Sequence, residues 1–171
     1  MATYIETAEV NILIDPAVAL GPKRYGLPPH EKEIERKETL WKEIRQHAVT
    51  ADILVVSHYD HHDPSKPEIY NDKIVYIKDP KNNINYSQKN RAKHFLNMID
   101  DRAAEITIAD GSQFYHGSVK IAFSEAVYHG VTSKLGYVVE TLIEERKGEI
   151  HTYERCGGSG TGESDGVYPQ A

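Results

Sequence analysis

The run His58-Tyr59-Asp60-His61-His62-Asp63 sets imidazole and carboxylate groups side by side, directly after the apolar run Ile53-Leu54-Val55-Val56. Imidazole nitrogen and carboxylate oxygen suit Zn, Mn or Fe. A packed core has no use for so many polar groups in succession, and a buried strand in front of them would fix their loop in place. The chemistry indicated is that of a metal-derived site at a strand end. A solvated polar turn has the same composition, and the preceding strand is what favours the metal. A second candidate is His129, in Val127-Tyr128-His129-Gly130 between the apolar stretches 119–123 and 135–143. Alone, such a His is more often a surface residue. It gains weight because metal sites collect ligands from several strand ends.

The elements that would carry these residues follow from periodicity. Residues 3–7 and 10–14 read as strands joined by a short turn at Ala8-Glu9. Asp15-Pro16 stops the second strand, and Gly21, Pro22, Gly26, Pro28 and Pro29 make residues 16–29 an irregular loop. The pattern over 31–48 is helical, with Ile34, Trp41, Ile44 and Ala48 on one face and charges forming a solvated remainder. The unbroken apolar character of 52–56 predicts a central strand. A loop over 63–72 and a strand over 73–78 follow. Ser87 is a candidate N-cap for a helix carrying Ala92, Phe95, Leu96 and Ile99. Strands are predicted near 105–108, 113–115, 119–123 and 135–143, with a turn at Asp110-Gly111. The order is strand-rich with two helices inserted, hence α/β.

The chain of 171 residues suffices for one domain with a real core, and its net charge is −6. Acidic and basic residues are interspersed without a basic stripe, so duplex nucleic acid held through its phosphates is not suggested. A nucleic-acid substrate held by a metal is compatible with that charge. One cysteine, Cys156, makes no internal disulfide and fits a reducing, cytoplasmic setting. No secretory signal is visible, and no apolar run is long enough to span a bilayer.

Several segments together resemble the uncharacterised archaeal branch of the metallo-β-lactamase superfamily. They are residues 2–7, Ile12-Leu13-Ile14-Asp15-Pro16, residues 20–30, Val56-Ser57-His58-Tyr59, Asp60-His61-His62, Tyr128-His129-Gly130 and Leu135-Gly136-Tyr137. The resemblance covers about residues 1–152. It implies a partial αββα sandwich, mainly the N-terminal half, with a mono- or dinuclear metal site along one edge. It also implies hydrolysis by a metal-bound hydroxide, with a small-molecule or phosphoester substrate and a divalent metal, zinc first and Mn or Fe as alternatives. By motif position the metal ligands would be His58, Asp60, His61 and His129. Asp60 would also orient or deprotonate the nucleophilic water. Asp15 would hold the loop around the site by hydrogen bonds, and His62 would orient a neighbour. His30, His47, His94 and His116 stand outside any cluster.

The chain departs from that pattern in two places. The branch reads S-H-Y-H-Y-D-H-H, and Ser57-His58-Tyr59-Asp60-His61-His62 has one His-Tyr pair fewer. After His151-Thr152 the branch continues with a bridging Asp, whereas this chain runs into a Gly-rich segment. A one-base shift in the back-translated sequence permits the branch's continuation, so residues 153–171 read as a disordered, out-of-frame tail. The resemblance places the second half of the sandwich beyond residue 171. The alternative to a hydrolase is therefore an inactive remnant, or a weak single-metal binder that lacks part of the site.

Overall fold

The computed structural model describes residues 2–21, 23, 25–59, 66–145 and 149–150. Its first unit is a five-stranded sheet. The elements are β1 (Thr3–Glu6), β2 (Asn11–Ile14), α1 (Glu31–Thr50), β3 (Ile53–Val56), β4 (Ile74–Ile77), α2 (Tyr86–Ile99) and β5 (Glu105–Ile108). The strands lie in the order β1-β2-β3-β4-β5. β1 and β2 form the expected hairpin, with Thr3 opposite Ile14. The steps from β2 to β5 are parallel, in a register that sets Ile14 beside Val55 and Val56 beside Ile77.

β2, β3 and β4 are almost wholly apolar because both faces of this sheet are covered. Leu13, Leu54, Val56, Val75 and Ile77 face the helices and pack with Trp41, Ile44 and Ala48 of α1 and Ala92, Phe95 and Ile99 of α2. Ile12, Ile14, Ile53, Val55 and Tyr76 face the other way.

The helix ends are set locally. His30 caps α1: its Nδ1 accepts from the Lys32 amide at 3.2 Å, while the Glu33 carboxylate accepts from the His30 amide at 2.8 Å. The N-cap of α2 is Asn85, not Ser87; the Asn85 side chain accepts from the Gln88 amide at 2.8 Å. Asn and Ser cap equally well, so the sequence alone did not choose between them. Ile34, expected on the buried face of α1, is 47% exposed. The expected loop over 63–72 contains a 3-10 turn at Pro67–Tyr70 that buries Ile69 and Tyr70.

The chain continues through β6 (Gln113–His116), β7 (Val119–Phe123), the short pair β8 (Val127–Tyr128) and β9 (Tyr137–Val138), β10 (Thr141–Glu145) and β11 (Glu149–Ile150). The strands β11-β10-β7-β6 form an antiparallel sheet. Its inward residues Val119, Ile121, Phe123 and Ile143 close the second core against Ile12, Ile53 and Val55. Asp110-Gly111 does turn the chain, with Gly111 at φ +64°, but it carries the chain from one sheet to the other instead of closing a hairpin. The single strand expected over 135–143 is broken, because Gly136 adopts φ +88° between a 3-10 turn and β9.

The partial αββα sandwich is not what forms. Among the described residues the layers are helices, mixed sheet and second sheet, with no helix outside the second sheet: a small α/β domain. The reason is topological. Every crossover from β2 to β5 moves one strand in the same direction, and right-handed crossovers then place all connections on one face. The second sheet instead turns Lys120 and Glu144 outward, joined at 2.9 Å, a polar pairing that needs no helical cover. No helix among the described residues is long and apolar enough to cross a membrane.

Candidate functional site

β2 and β3 end side by side, and the residues just past their carboxyl ends build the site. In parallel sheets this rim is where connecting loops gather functional groups. Asp15, at φ +45°, accepts from the Ser57 amide through Oδ1 at 2.8 Å and from the Ser57 hydroxyl through Oδ2 at 2.5 Å. Aspartate tolerates this left-handed backbone better than most residues. The Ser57 hydroxyl also lies 2.9 Å from His58 Nδ1. Its one proton goes to Asp15, so it can only accept from the ring. The resulting relay runs His58 Nδ1–H to Ser57 Oγ–H to Asp15. It sets the tautomer and places the lone pair of the neutral ring on Nε2, the arrangement in which a second layer of polar groups orients a metal-binding histidine. His58 is buried, and Asp15 Oδ2 also lies 3.6 Å from its Nδ1.

His129 reaches the same rim from the β8–β9 loop. Its amide donates to the Gly136 carbonyl at 2.9 Å, and the Val139 amide donates to the Ser57 carbonyl at 3.1 Å, tying this loop to the end of β3. α2 braces the loop from below. Asn85 Nδ2 donates to the Lys134 carbonyl at 3.2 Å, and Gln88 Oε1 accepts from the Tyr137 amide at 3.3 Å. A Cβ on Gly136 would fall 2.2 Å from Gln88 Oε1, and its φ of +88° disfavours any side chain there. Arg91 of the same helix donates to the Tyr59 carbonyl at 3.4 Å and to Ser87 Oγ at 2.6 Å. The His58 and His129 rings come to a centroid separation of 4.8 Å, tilted by 42°.

Tyr59 is not part of a polar loop surface. It is 2% exposed, packs against Phe95 and donates its hydroxyl to the Lys78 carbonyl at 2.5 Å. Burial pushes its hydroxyl far above the ordinary tyrosine range, and Asp110 and Asp79 add to the effect, so it remains a neutral donor. Lys78, 1% exposed, gives its ammonium to Asp110 Oδ1 at 2.7 Å and to the carbonyls of Asn82 and Asp79 at 3.0 and 3.2 Å. This latch holds the β4 and β5 ends next to the site.

Of the residues singled out in the sequence, the fold brings His58 and His129 together. Asp60, His61, His62 and Asp63 lie outside the described residues, as do His151 and the segment 153–171. Asp15 holds the loop by hydrogen bonds. His30 is a helix cap, His47 packs its ring at a tilt against Tyr4 and His116 bonds the Tyr76 hydroxyl. Among the described residues no group of three or more His, Cys, Asp or Glu side chains is placed to hold a metal ion. The expected zinc cluster of metallo-β-lactamase type is therefore not found there: the donors brought together are two imidazoles. The bracing roles of Gln88 and Arg91 were not legible in the sequence, where both look like solvent-facing helix residues.

No family model matches the chain. Its relatives include the UPF0282 protein of Korarchaeum cryptofilum, 55% identical over 148 residues, which are 85% of this chain and 49% of that protein. The UPF0282 proteins of Sulfurisphaera tokodaii and Saccharolobus solfataricus are 49% and 46% identical over 155 residues, 87% of this chain and 50% of each relative. The chain spans about half the length of the curated relatives it matches. None of these three carries a metallo-β-lactamase name, and that overturns the family resemblance drawn from the motifs. The similarity points instead to the UPF0282 proteins, a distinct archaeal family, and not to a truncated metallo-β-lactamase.

Proposed function

We propose that the rim at the ends of β2 and β3 binds one divalent cation between His58 and His129, and that the chain supplies this part of a metal-dependent hydrolase acting in the cytoplasm. The observation that supports it is the ring pair. With metal–nitrogen bonds of about 2 Å, two imidazoles meeting one cation at about 90–110° have centroids roughly 4.5–5.2 Å apart. The separation of 4.8 Å lies in that range. The relay from Asp15 through Ser57 supports it further, because it puts the His58 lone pair on Nε2. A cation held there would supply acidified water as the nucleophile of hydrolysis. The chain's own residues orient the ligands: Asp15 and Ser57 fix His58, and the loop braced by Gln88 presents His129.

The meeting of two imidazoles at the rim supports binding of one weakly held cation. It also favours a second reading, cation binding without turnover. Calorimetric titration of the 171-residue chain with Mn2+ and Co2+ tests the first step. One equivalent should bind, and His58→Ala and His129→Ala should each weaken it by about tenfold or more. Equal binding by the variants, or no binding by the parent, would rule the site out. Hydrolysis of an activated phosphodiester or thioester that follows the bound metal and vanishes in His58→Ala would then separate enzyme from binder.

A further inference from the structure

A second site faces the loop that leaves β2. Ile34, Lys37, Trp41, Lys42 and Arg45 recur along α1 at helical spacing. With Val18 of the loop and Lys66 they bound an open groove of about 480 Å³, within the range of small-ligand sites. Its floor is apolar, from Val18, Ile34 and the Trp41 ring. Its rim is cationic: Lys37, Lys42, Arg45 and Lys66 stand against one carboxylate, Glu38. Lys66 Nζ lies 4.9 Å from the centre of the Trp41 ring and closes one end.

The charge is the informative part. The protein as a whole carries −6. Three cations elsewhere among the described residues are held by carboxylates: Arg36 with Glu43 at 3.5 Å, Lys78 with Asp110 at 2.7 Å and Lys120 with Glu144 at 2.9 Å. The four groove cations have no carboxylate within ion-pair distance among the described residues. Like charges gathered over an apolar floor repel one another and attract a compact anion. The Trp41 indole N–H is buried and has no acceptor among the described residues.

We propose that this groove binds a small phosphorylated organic molecule, its phosphate between Lys37, Lys42, Arg45 and Lys66 and its apolar body on Val18, Ile34 and Trp41. A phosphate dianion meets the excess of positive charge, and the apolar floor gives no reason to prefer bare phosphate. The site needs no metal and does not depend on the histidine pair.

Trp41 is the one tryptophan in the chain, so its fluorescence and its indole N–H resonance can be read without overlap from another tryptophan. Phenyl phosphate, inorganic phosphate and benzyl alcohol would each be titrated into the metal-free full chain. Phenyl phosphate should perturb Trp41 saturably and bind more tightly than either control. Lys42→Glu and Arg45→Glu, both at exposed helix positions, should each weaken it by about tenfold while leaving the far-UV circular dichroism unchanged. Benzyl alcohol binding as tightly as phenyl phosphate would overturn the charge recognition. Inorganic phosphate binding as tightly would overturn the role of the apolar floor. Indifference of phenyl phosphate binding to both reversals, or no response of Trp41, would overturn the site.

Discussion

Asp15 does two jobs with one carboxylate. It accepts two hydrogen bonds from Ser57 across the β2–β3 boundary, and through Ser57 it orients His58. Both oxygens are buried with their donors. Asp15→Ala would strand the Ser57 amide and hydroxyl and leave a β-carbon at a left-handed backbone position. The expected cost is about 3 kcal/mol, read by urea denaturation. Ser57→Ala is the sharper probe of the relay. It keeps the amide bond to Asp15 and removes only the hydroxyl that sets the tautomer. Stability should fall by about 1 kcal/mol, while any affinity for Mn2+ should fall by about tenfold. A stability loss without an affinity loss would make the relay purely structural.

At the level of elements, the site depends on how α2 meets the β8–β9 loop. Gly136→Ala puts a methyl group against the Gln88 amide at a φ of +88°. It should destabilise the fold by about 2 kcal/mol. Gln88→Ala removes the obstacle but not the backbone strain. The double variant should therefore recover part of the loss, and strict additivity would show that the close approach carries no energy. The Lys78 latch joins two strand ends in the same way. Lys78→Met leaves the Asp110 carboxylate without its ammonium, at an expected cost of about 3 kcal/mol.

The whole molecule should be sensitive to alkali. Burial, first of all, raises the hydroxyls of Tyr59 and Tyr70 far above their usual value and that of Tyr76 to about 12. Each folded-state pKa is raised, so the associated stability is complete below about pH 10, where unfolded tyrosine begins to ionise. It is lost as pH rises from there through the folded values. Denaturant midpoints should thus fall steeply above pH 10, with tyrosinate absorbance appearing together with unfolding. On the acid side the effect is local. Burial alone would raise Asp79, but hydrogen bonds from the Asn82 side chain and the Lys81 and Asn82 amides outweigh it, helped by Lys78, and hold it below the carboxylate range. Its contribution is present above about pH 4 and lost as pH falls through that lowered value.

Periodicity alone determined where most strands and both helices lie, because apolar alternation and capping residues act over a few positions. It located the β1–β2 hairpin, the central β3 and the loop from which His58 projects. Chain-order patterns could not decide the layer count, since that depends on which face each crossover takes; a sequence motif suggested a sandwich that the one-sided crossovers do not build. Nor could sequence show that His129, 71 positions after His58, would bring its ring beside it. That proximity rests on one backbone bond from Val139 to Ser57 and on Gln88 bracing a glycine. The groove cations, too, looked like a solvated helix face. Only the folded loop over α1 turned them into a charged wall around an apolar floor, because the contacts that decide such a surface join residues far apart in the chain.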